Sequence, residues 1–280
     1  MAGKIEIKFN GNTVNLSNTP HLFLISGPCV IENEKLTLSI ANKIKDISLK
    51  LQIPFIFKAS YKKANRTSGK SFRSIGVQKS LDILAKIREN LQVPVLTDVH
   101  SELEASIAAD YVDVLQIPAF LSRQTELLEA AGETGRIVNI KKGQFLSPED
   151  IEFQIKKVEA TGNKKIIVTE RGSSFGYHNL VVDMRSLAIM KKFKYPVVFD
   201  ATHSLQMPSS VNGVSGGSPE FIYPMARSAA AMGINGIFIE THPNPAKALS
   251  DSKSMLPLNR LEGLLKQIIE IHNLVAKFND

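Results

Sequence analysis

The strongest constraint on the fold is a repeated alternation of short apolar runs with longer amphipathic segments. The runs are rich in Val, Ile and Phe, and the segments between them carry apolar residues at three- and four-residue steps. Because this alternation is typical of βαβ units around a parallel sheet, each run predicts a buried strand and each segment a helix. The runs are residues 21–26, 54–60, 93–99, 112–118, 136–142, 165–171, 195–201 and 236–242.

Eight such runs in 280 residues favour a (β/α)8 barrel, the TIM barrel, over a doubly wound sheet, which usually has fewer strands. We therefore expect an α/β fold in which residues 1–280 form one barrel domain. Residues 1–20 depart from the pattern, since they alternate polar and apolar residues around an Asn-Gly pair, and they predict a short N-terminal β-hairpin. The clearest helical segments are residues 34–50, 77–90, 147–160, 220–233 and 258–278, the third with Ser147 as its predicted N-cap.

Composition narrows the kind of partner. The formal net charge of +7 indicates an anionic partner, either nucleic acid or a small molecule. The chain has no dense basic run and only 7% aromatic residues, which are few for stacking on bases, so we expect no nucleic-acid partner.

Three features bear on location. A single cysteine cannot form an internal disulfide, the first ten residues lack an apolar signal core, and no stretch approaches 18 apolar residues. Together they predict a cytoplasmic protein that has no contact with a membrane.

Chemically capable residues stand at or just after the carboxyl end of nearly every predicted strand. A single lysine in such a place is more often solvated or ion-paired than bound to a ligand. The carboxyl ends of barrel strands meet at one mouth, however, where the sites of such barrels are built, so the whole set predicts one site. Its members are Cys29, Lys58, Ser60, Asp98, His100, Gln116, Lys141, Arg171, Asp200, His203, Glu240 and His242.

The set divides by chemistry. The cations Lys58, Lys63, Lys141 and Arg171, with Arg66 nearby, predict a strongly anionic substrate that carries phosphate or carboxylate groups. A thiol, an imidazole and two carboxylates suit a divalent transition metal, and these are Cys29, His203, Glu240 and Asp251. Spacing alone leaves open whether Cys29 fills the core, acts as a nucleophile or binds a metal.

Eight motifs carry a resemblance to a known family, in that family's order along the chain. They are GPCVIE (27–32), FKASYKKANRTS (57–68), TDVH (97–100), QIPAFLSRQTELL (116–128), NIKKGQFLSP (139–148), TERGSSFGYHNLVVDMRS (169–186), FDATHS (199–204) and IETHPNPAKALSD (239–251). The chain resembles the 3-deoxy-D-manno-octulosonate 8-phosphate synthases, which join phosphoenolpyruvate to D-arabinose 5-phosphate in lipopolysaccharide inner-core sugar synthesis. The resemblance implies a TIM barrel with an N-terminal hairpin, assembled as a homotetramer.

Other functions remain open at this point. The related 3-deoxy-D-arabino-heptulosonate 7-phosphate synthases use erythrose 4-phosphate and typically carry a KPRTS-type motif where this chain has KANRTS at 63–68. A Schiff-base aldolase would use Lys58 or Lys141 as its nucleophile. A nucleic-acid-binding protein would use the net positive charge, but the cations at the strand ends alternate with apolar runs and few aromatic residues are available to stack on bases.

The resemblance also implies roles for single residues. The metal, which would be Zn, Fe or Mn, would be bound by Cys29, His203, Glu240 and Asp251. Lys58, Ser60 and Lys63 would hold the phosphoenolpyruvate carboxylate, and Lys141, Arg171 and the backbone near Ala119 its phosphate, with Gln116 on the same wall. Asp98, Asn65 and Arg66 would bind the acceptor, Arg66 by reaching a neighbouring subunit's site. The catalytic residues implied are Lys58, Lys63, Asn65, Asp98, His203 and Asp251. Tyr61 stands where some relatives have a different residue.

Overall fold

The structure is a computed structural model that describes residues 5–17, 22–64, 71–211 and 214–278. The strands are β1 (Glu6–Phe9), β2 (Asn12–Asn15), β3 (Phe23–Gly27), β4 (Phe55–Lys58), β5 (Val95–Asp98), β6 (Val114–Ile117), β7 (Ile137–Lys141), β8 (Ile166–Glu170), β9 (Ser173–Ser174), β10 (Leu180–Val181), β11 (Val197–Asp200), β12 (Gln206–Val211), β13 (Val214–Gly217), β14 (Gly236–His242) and β15 (Leu256–Pro257). The helices are α1 (Glu34–Lys50), α2 (Val77–Leu91), α3 (Glu102–Ala109), α4 (Thr125–Glu133), α5 (Ile151–Ala160), α6 (Arg185–Lys191), α7 (Ile222–Ala231) and α8 (Leu261–Val275).

Strands β3 to β8, β11 and β14 form a closed parallel barrel. They pair in chain order, and β14 closes the ring by pairing with both β11 and β3. Each strand is buried along its whole length, because its side chains point either into the barrel or towards the surrounding helices. Seven of the eight predicted runs contain one of these strands and the first, 21–26, overlaps β3, which ends one residue later, so the predicted TIM barrel is confirmed.

The predicted hairpin is also present. Strands β1 and β2 pair antiparallel, and the turn residues Asn10 and Gly11 have φ of 49° and 78°. Positive φ at both positions is what a two-residue hairpin turn requires. The Asn10 N–H donates to the carbonyl of Gln92, just before β5, so the hairpin lies at the amino-terminal end of the barrel.

The helices agree with the sequence pattern, with one correction. Helix α5 begins at Ile151, and Ser147 is not its N-cap. The hydrogen bond runs the other way, since the Ser147 N–H donates to Asp150 Oδ2 over 3.2 Å and closes a separate turn before the helix. Within the described ranges, none of the helices combines the length and the apolar character that a membrane crossing requires.

Candidate active site

Close packing of β3 against β4 shapes one side of the barrel mouth. A Cβ at Gly27 would lie 2.0 Å from the Lys58 carbonyl oxygen, so only glycine fits this position. The chain beyond Gly27 stays beside β4, where the Ser60 N–H donates to the Cys29 carbonyl over 3.3 Å. The GPC motif therefore places Cys29 next to Lys58 and Ser60.

Lys58 and Glu240 form a buried ion pair at the centre of the mouth. Lys58 Nζ donates to Glu240 Oε1 over 2.6 Å and to the Cys29 carbonyl over 3.1 Å. Burial works to lower the pKa of Lys58, but Glu240 and Asp98 raise it overall, so the ammonium stays charged. Burial works to raise the pKa of Glu240, but Lys58 and His203 lower it overall.

A thiol and carboxylate cluster lies beside this pair. Cys29 Sγ is 2.9 Å from Asp251 Oδ2 and 2.9 Å from Ser250 Oγ. Donor atoms of Cys29, Glu240 and Asp251 all lie within 4.8 Å of one another. His203 Nε2 faces the same cluster, 3.5 Å from Glu240 Oε1 and 4.0 Å from Asp251 Oδ2. The structure thus brings the four sequence-predicted metal ligands together.

The cluster fits a divalent cation. Glu240 Oε2 is buried and has no hydrogen-bond partner among the described residues, which leaves it available as a ligand. Burial, with the charges of Asp251 and Glu240, raises the pKa of the Cys29 thiol well above its usual value. A thiol, an imidazole and two carboxylates form a ligand set that Zn, Fe and Mn accept.

A second lysine lies on the neighbouring wall of the barrel. Lys141 Nζ donates to Asp200 Oδ2 over 2.6 Å and lies 3.9 Å from the centre of the Phe238 ring. Burial lowers the pKa of Lys141 against the opposing charge of Asp200. Asp200 Oδ2 also lies 2.8 Å from His203 Nδ1, which points the other ring nitrogen, Nε2, towards the thiol and carboxylate cluster.

Ser60 and Asp98 form a third group at the mouth. Ser60 Oγ donates to Asp98 Oδ1 over 2.6 Å and accepts from Lys58 Nζ over 3.3 Å and from Lys63 Nζ over 3.5 Å. Although burial opposes it, the hydrogen bond from His100 and the charges of the two lysines hold the pKa of Asp98 well below its usual range. Asp98 is therefore an anion that faces two cations.

Three further predicted residues lie at or just after the ends of β6 and β8, whereas His242 lies at the end of β14, with its Nε2 3.8 Å from Glu32 Oε1. Arg171 follows β8 and donates to Gln206 Oε1 over 3.2 Å, with burial lowering the pKa of its guanidinium. Gln116 is buried in β6, where its Oε1 accepts a hydrogen bond from Asn139. Ala119 is buried in the turn after β6.

Sequence reasoning missed several contributors to the site. Three residues that contact a predicted site residue were missed because they lie in apolar or small-residue stretches, where nothing in the sequence indicates a chemical role. They are Phe238, Thr202 and Ser250. The predicted acceptor residues Asn65 and Arg66 lie outside the described residues.

Comparison with known proteins agrees with this geometry. Residues 5–277 match the sequence model of the DAHP synthetase I family. The chain is 54% identical over 259 residues to a 2-dehydro-3-deoxyphosphooctonate aldolase of Methylibium petroleiphilum, covering 90% of this chain and 91% of the relative. It is 53% identical over 260 residues to a protein of that name from Koribacter versatilis (92% and 93% covered) and 53% identical over 262 residues to one from Geobacter metallireducens (94% and 96% covered). The chain therefore belongs to the DAHP synthetase I family, and within it to the 2-dehydro-3-deoxyphosphooctonate aldolases.

Proposed function

We propose that this enzyme condenses phosphoenolpyruvate with D-arabinose 5-phosphate and water, giving 3-deoxy-D-manno-octulosonate 8-phosphate and inorganic phosphate. The observation that carries the proposal is the convergence of the buried cations Lys58, Lys141 and Arg171 on one barrel mouth. Cations held this way suit two substrates that together bring a carboxylate and two phosphates. The names of the relatives point to the same product.

Phosphoenolpyruvate would lie between the two walls of the mouth. Lys58 and Lys63, which share the hydroxyl of Ser60, would hold its carboxylate. Lys141 and Arg171, with the backbone at Ala119 and the amide of Gln116, would hold its phosphate. Burial favours this arrangement, because a cation that has lost its water gains most from pairing with an anion.

The acceptor aldehyde would be attacked by carbon 3 of phosphoenolpyruvate, and carbon 2 would then take up water. The phosphorylated hemiketal that results would lose phosphate by cleavage of its carbon–oxygen bond. Asp98 would accept hydrogen bonds from the acceptor hydroxyls, and Asn65 and Arg66 would hold the acceptor phosphate. His203 and Asp251 would hold or move a proton at the attacking water, a role supported by their facing the same cluster.

A divalent metal ion would be held by Cys29, His203, Glu240 and Asp251. When bound, it would orient the acceptor and position water beside carbon 2. This part of the proposal is supported by the ligand set and by the buried Glu240 Oε2, which has no hydrogen-bond partner in the described part of the chain.

We further propose a cytoplasmic homotetramer in which Arg66 reaches a neighbouring subunit's site. Support comes from an aromatic rim of exposed residues in the loops after β6, β7 and β8, namely Phe120, Phe145, Phe175 and Tyr177. Such a rim beside the site suits burial against another copy. Sedimentation of the purified protein tests it, and a monomer at micromolar concentration would contradict it.

The reaction is tested by phosphate release from phosphoenolpyruvate with either sugar. We expect release with arabinose 5-phosphate, loss on chelation and recovery on return of Zn, Fe or Mn. Release only with erythrose 4-phosphate would assign the shikimate-type reaction, which the names of the relatives do not favour. Borohydride trapping of a carbonyl substrate on Lys58 or Lys141 would instead assign a Schiff-base aldolase.

A further inference from the structure

Glu104 lies on α3, behind the mouth, and accepts hydrogen bonds from the loops that follow β4 and β5. Tyr61 Oη donates to Glu104 Oε2 over 2.5 Å, and Lys62 Nζ forms an ion pair with Oε1. The backbone N–H of His100 and its ring Nδ1 each lie 3.0 Å from Glu104 Oε2. One carboxylate therefore joins the loop after β4 to the loop after β5.

The second ring nitrogen of His100 connects this carboxylate to the site. His100 Nε2 lies 3.4 Å from Asp98 Oδ2, while Asp98 Oδ1 accepts the hydrogen bond from Ser60. Lysine ammonium groups only donate, so Ser60 accepts from Lys58 and Lys63 and its single hydrogen goes to Asp98. Asp98 Oδ1 is thus held by a hydroxyl, while Oδ2 faces an imidazole.

Two carboxylates face the two ring nitrogens of His100. A neutral imidazole donates from one nitrogen only and would turn a lone pair towards the other carboxylate, whereas the imidazolium satisfies both. Burial works to lower the pKa of His100, but Asp98 and Glu104 raise it to about 9. The other described charges around this ring are Lys62, across Glu104, and Lys58 and Lys63, across Asp98.

Tyr61 and Lys62 directly precede the segment KANRTS at 63–68, which the resemblance assigns to the acceptor. Tyr61 is buried, and its carbonyl accepts a hydrogen bond from Ser74. Glu104 therefore anchors the two residues before that segment, as well as the histidine that faces Asp98. Among the described residues, none of its contacts is with Lys141 or Arg171.

We propose that Glu104 is a positioning residue for the sugar acceptor, which acts through His100 on Asp98 and also holds Tyr61 and Lys62 in place. This inference rests on the proposed function. It predicts that loss of the Glu104 charge weakens use of the sugar phosphate more than phosphoenolpyruvate binding, because Asp98 would contact the acceptor directly, whereas the phosphoenolpyruvate carboxylate would be held by Lys58 and Lys63, beyond Ser60.

The test compares Glu104→Gln with Glu102→Gln, an exposed carboxylate in the first turn of the same helix. In Glu104→Gln we expect KM for arabinose 5-phosphate to rise roughly tenfold, because a tenfold change corresponds to the loss of one charge-assisted hydrogen bond. KM for phosphoenolpyruvate should stay within about twofold. Glu102→Gln keeps both KM values. Equal rises in both KM values, or unchanged values in Glu104→Gln, would overturn the inference.

A second readout does not depend on turnover. Titration of the histidine ring signals by NMR, with His100 assigned from the spectrum of His100→Asn, gives the His100 pKa directly. We expect Glu104→Gln to lower it from about 9 towards the ordinary 6.5, with Tyr61→Phe producing a smaller effect on the sugar KM alone. An unchanged pKa overturns the positioning inference even if the sugar substrate is wrong, whereas a lowered pKa without turnover of arabinose 5-phosphate would reject the proposed reaction and the acceptor role together.

Discussion

Lys58 Nζ and Glu240 Oε1 lie 2.6 Å apart where neither side chain reaches solvent. The pair links the cations proposed to bind phosphoenolpyruvate to the proposed metal ligands, because Glu240 also belongs to the thiol and carboxylate cluster with Cys29 and Asp251. Each charge depends on the other, since an unpaired ion in this position would face the full cost of burial.

Lys58→Met should therefore destabilise the protein as well as abolish phosphate release. Removing one partner of a buried ion pair typically lowers the free energy of unfolding by about 3–5 kcal/mol. Adding Glu240→Gln should restore part of that stability without restoring activity, because the uncompensated charge is removed. Urea unfolding measures both effects, and a double variant less stable than Lys58→Met would contradict the pairing.

Cys29→Ser should lower metal content more than it lowers stability. The thiol is the only soft donor in the cluster, and serine keeps its shape without its affinity for a transition metal. We expect substoichiometric metal by elemental analysis after dialysis, with an unchanged unfolding midpoint in chelator. Ser250→Ala, which removes a neighbour of the thiol but no predicted ligand, is the matched control. Full metal occupancy in Cys29→Ser would exclude the thiol as a ligand.

Arg171→Lys should raise KM for phosphoenolpyruvate by roughly tenfold or more, because lysine lacks the planar guanidinium group that can donate two parallel hydrogen bonds to a phosphate. KM for arabinose 5-phosphate should change little. Arg185→Lys, an exposed arginine paired with Asp183, supplies the control. Steady-state kinetics in both substrates measures the effect, and a rise confined to the sugar would place Arg171 on the acceptor side.

Most of the fold was predictable because local pattern and tertiary environment agree. Every barrel strand is buried on both faces, so its sequence is a short run rich in Val, Ile and Phe, a pattern typical of buried parallel strands. The Asn10-Gly11 pair fixed the hairpin through its positive φ angles. Ser147 was misassigned because a Ser-Pro-Glu-Asp stretch serves equally as a helix start and as a free turn, and only the direction of the Asp150 hydrogen bond distinguishes the two.

The site was predictable where chemistry coincides with a strand end. Lys58, Asp98 and Glu240 stand at such ends, and barrel topology brings them together although they are far apart in sequence. Residues that contact the site from a helix are not marked by any comparable pattern in the sequence. Glu104 looks like an ordinary carboxylate in the first turn of a helix, and only its contacts with His100 and Tyr61 distinguish it from Glu102.

The stability of the protein should fall at alkaline pH because of His100. Its pKa is raised to about 9 in the folded protein, against an ordinary value of 6.5, by Asp98 and Glu104 acting against burial. A raised pKa means that the folded state holds the proton more tightly, so this stabilisation is complete below about pH 6.5 and is lost as pH rises through about 9. The loss is on the order of 3 kcal/mol, since one unit of pKa difference corresponds to about 1.4 kcal/mol. His100→Asn should be less stable than the parent at pH 6 and should lack this part of the decline, whereas His178→Asn, exposed between β9 and β10, should follow the parent curve. Urea unfolding at several pH values measures the difference, and parallel curves for the parent and His100→Asn would show that the imidazolium is not held by the two carboxylates.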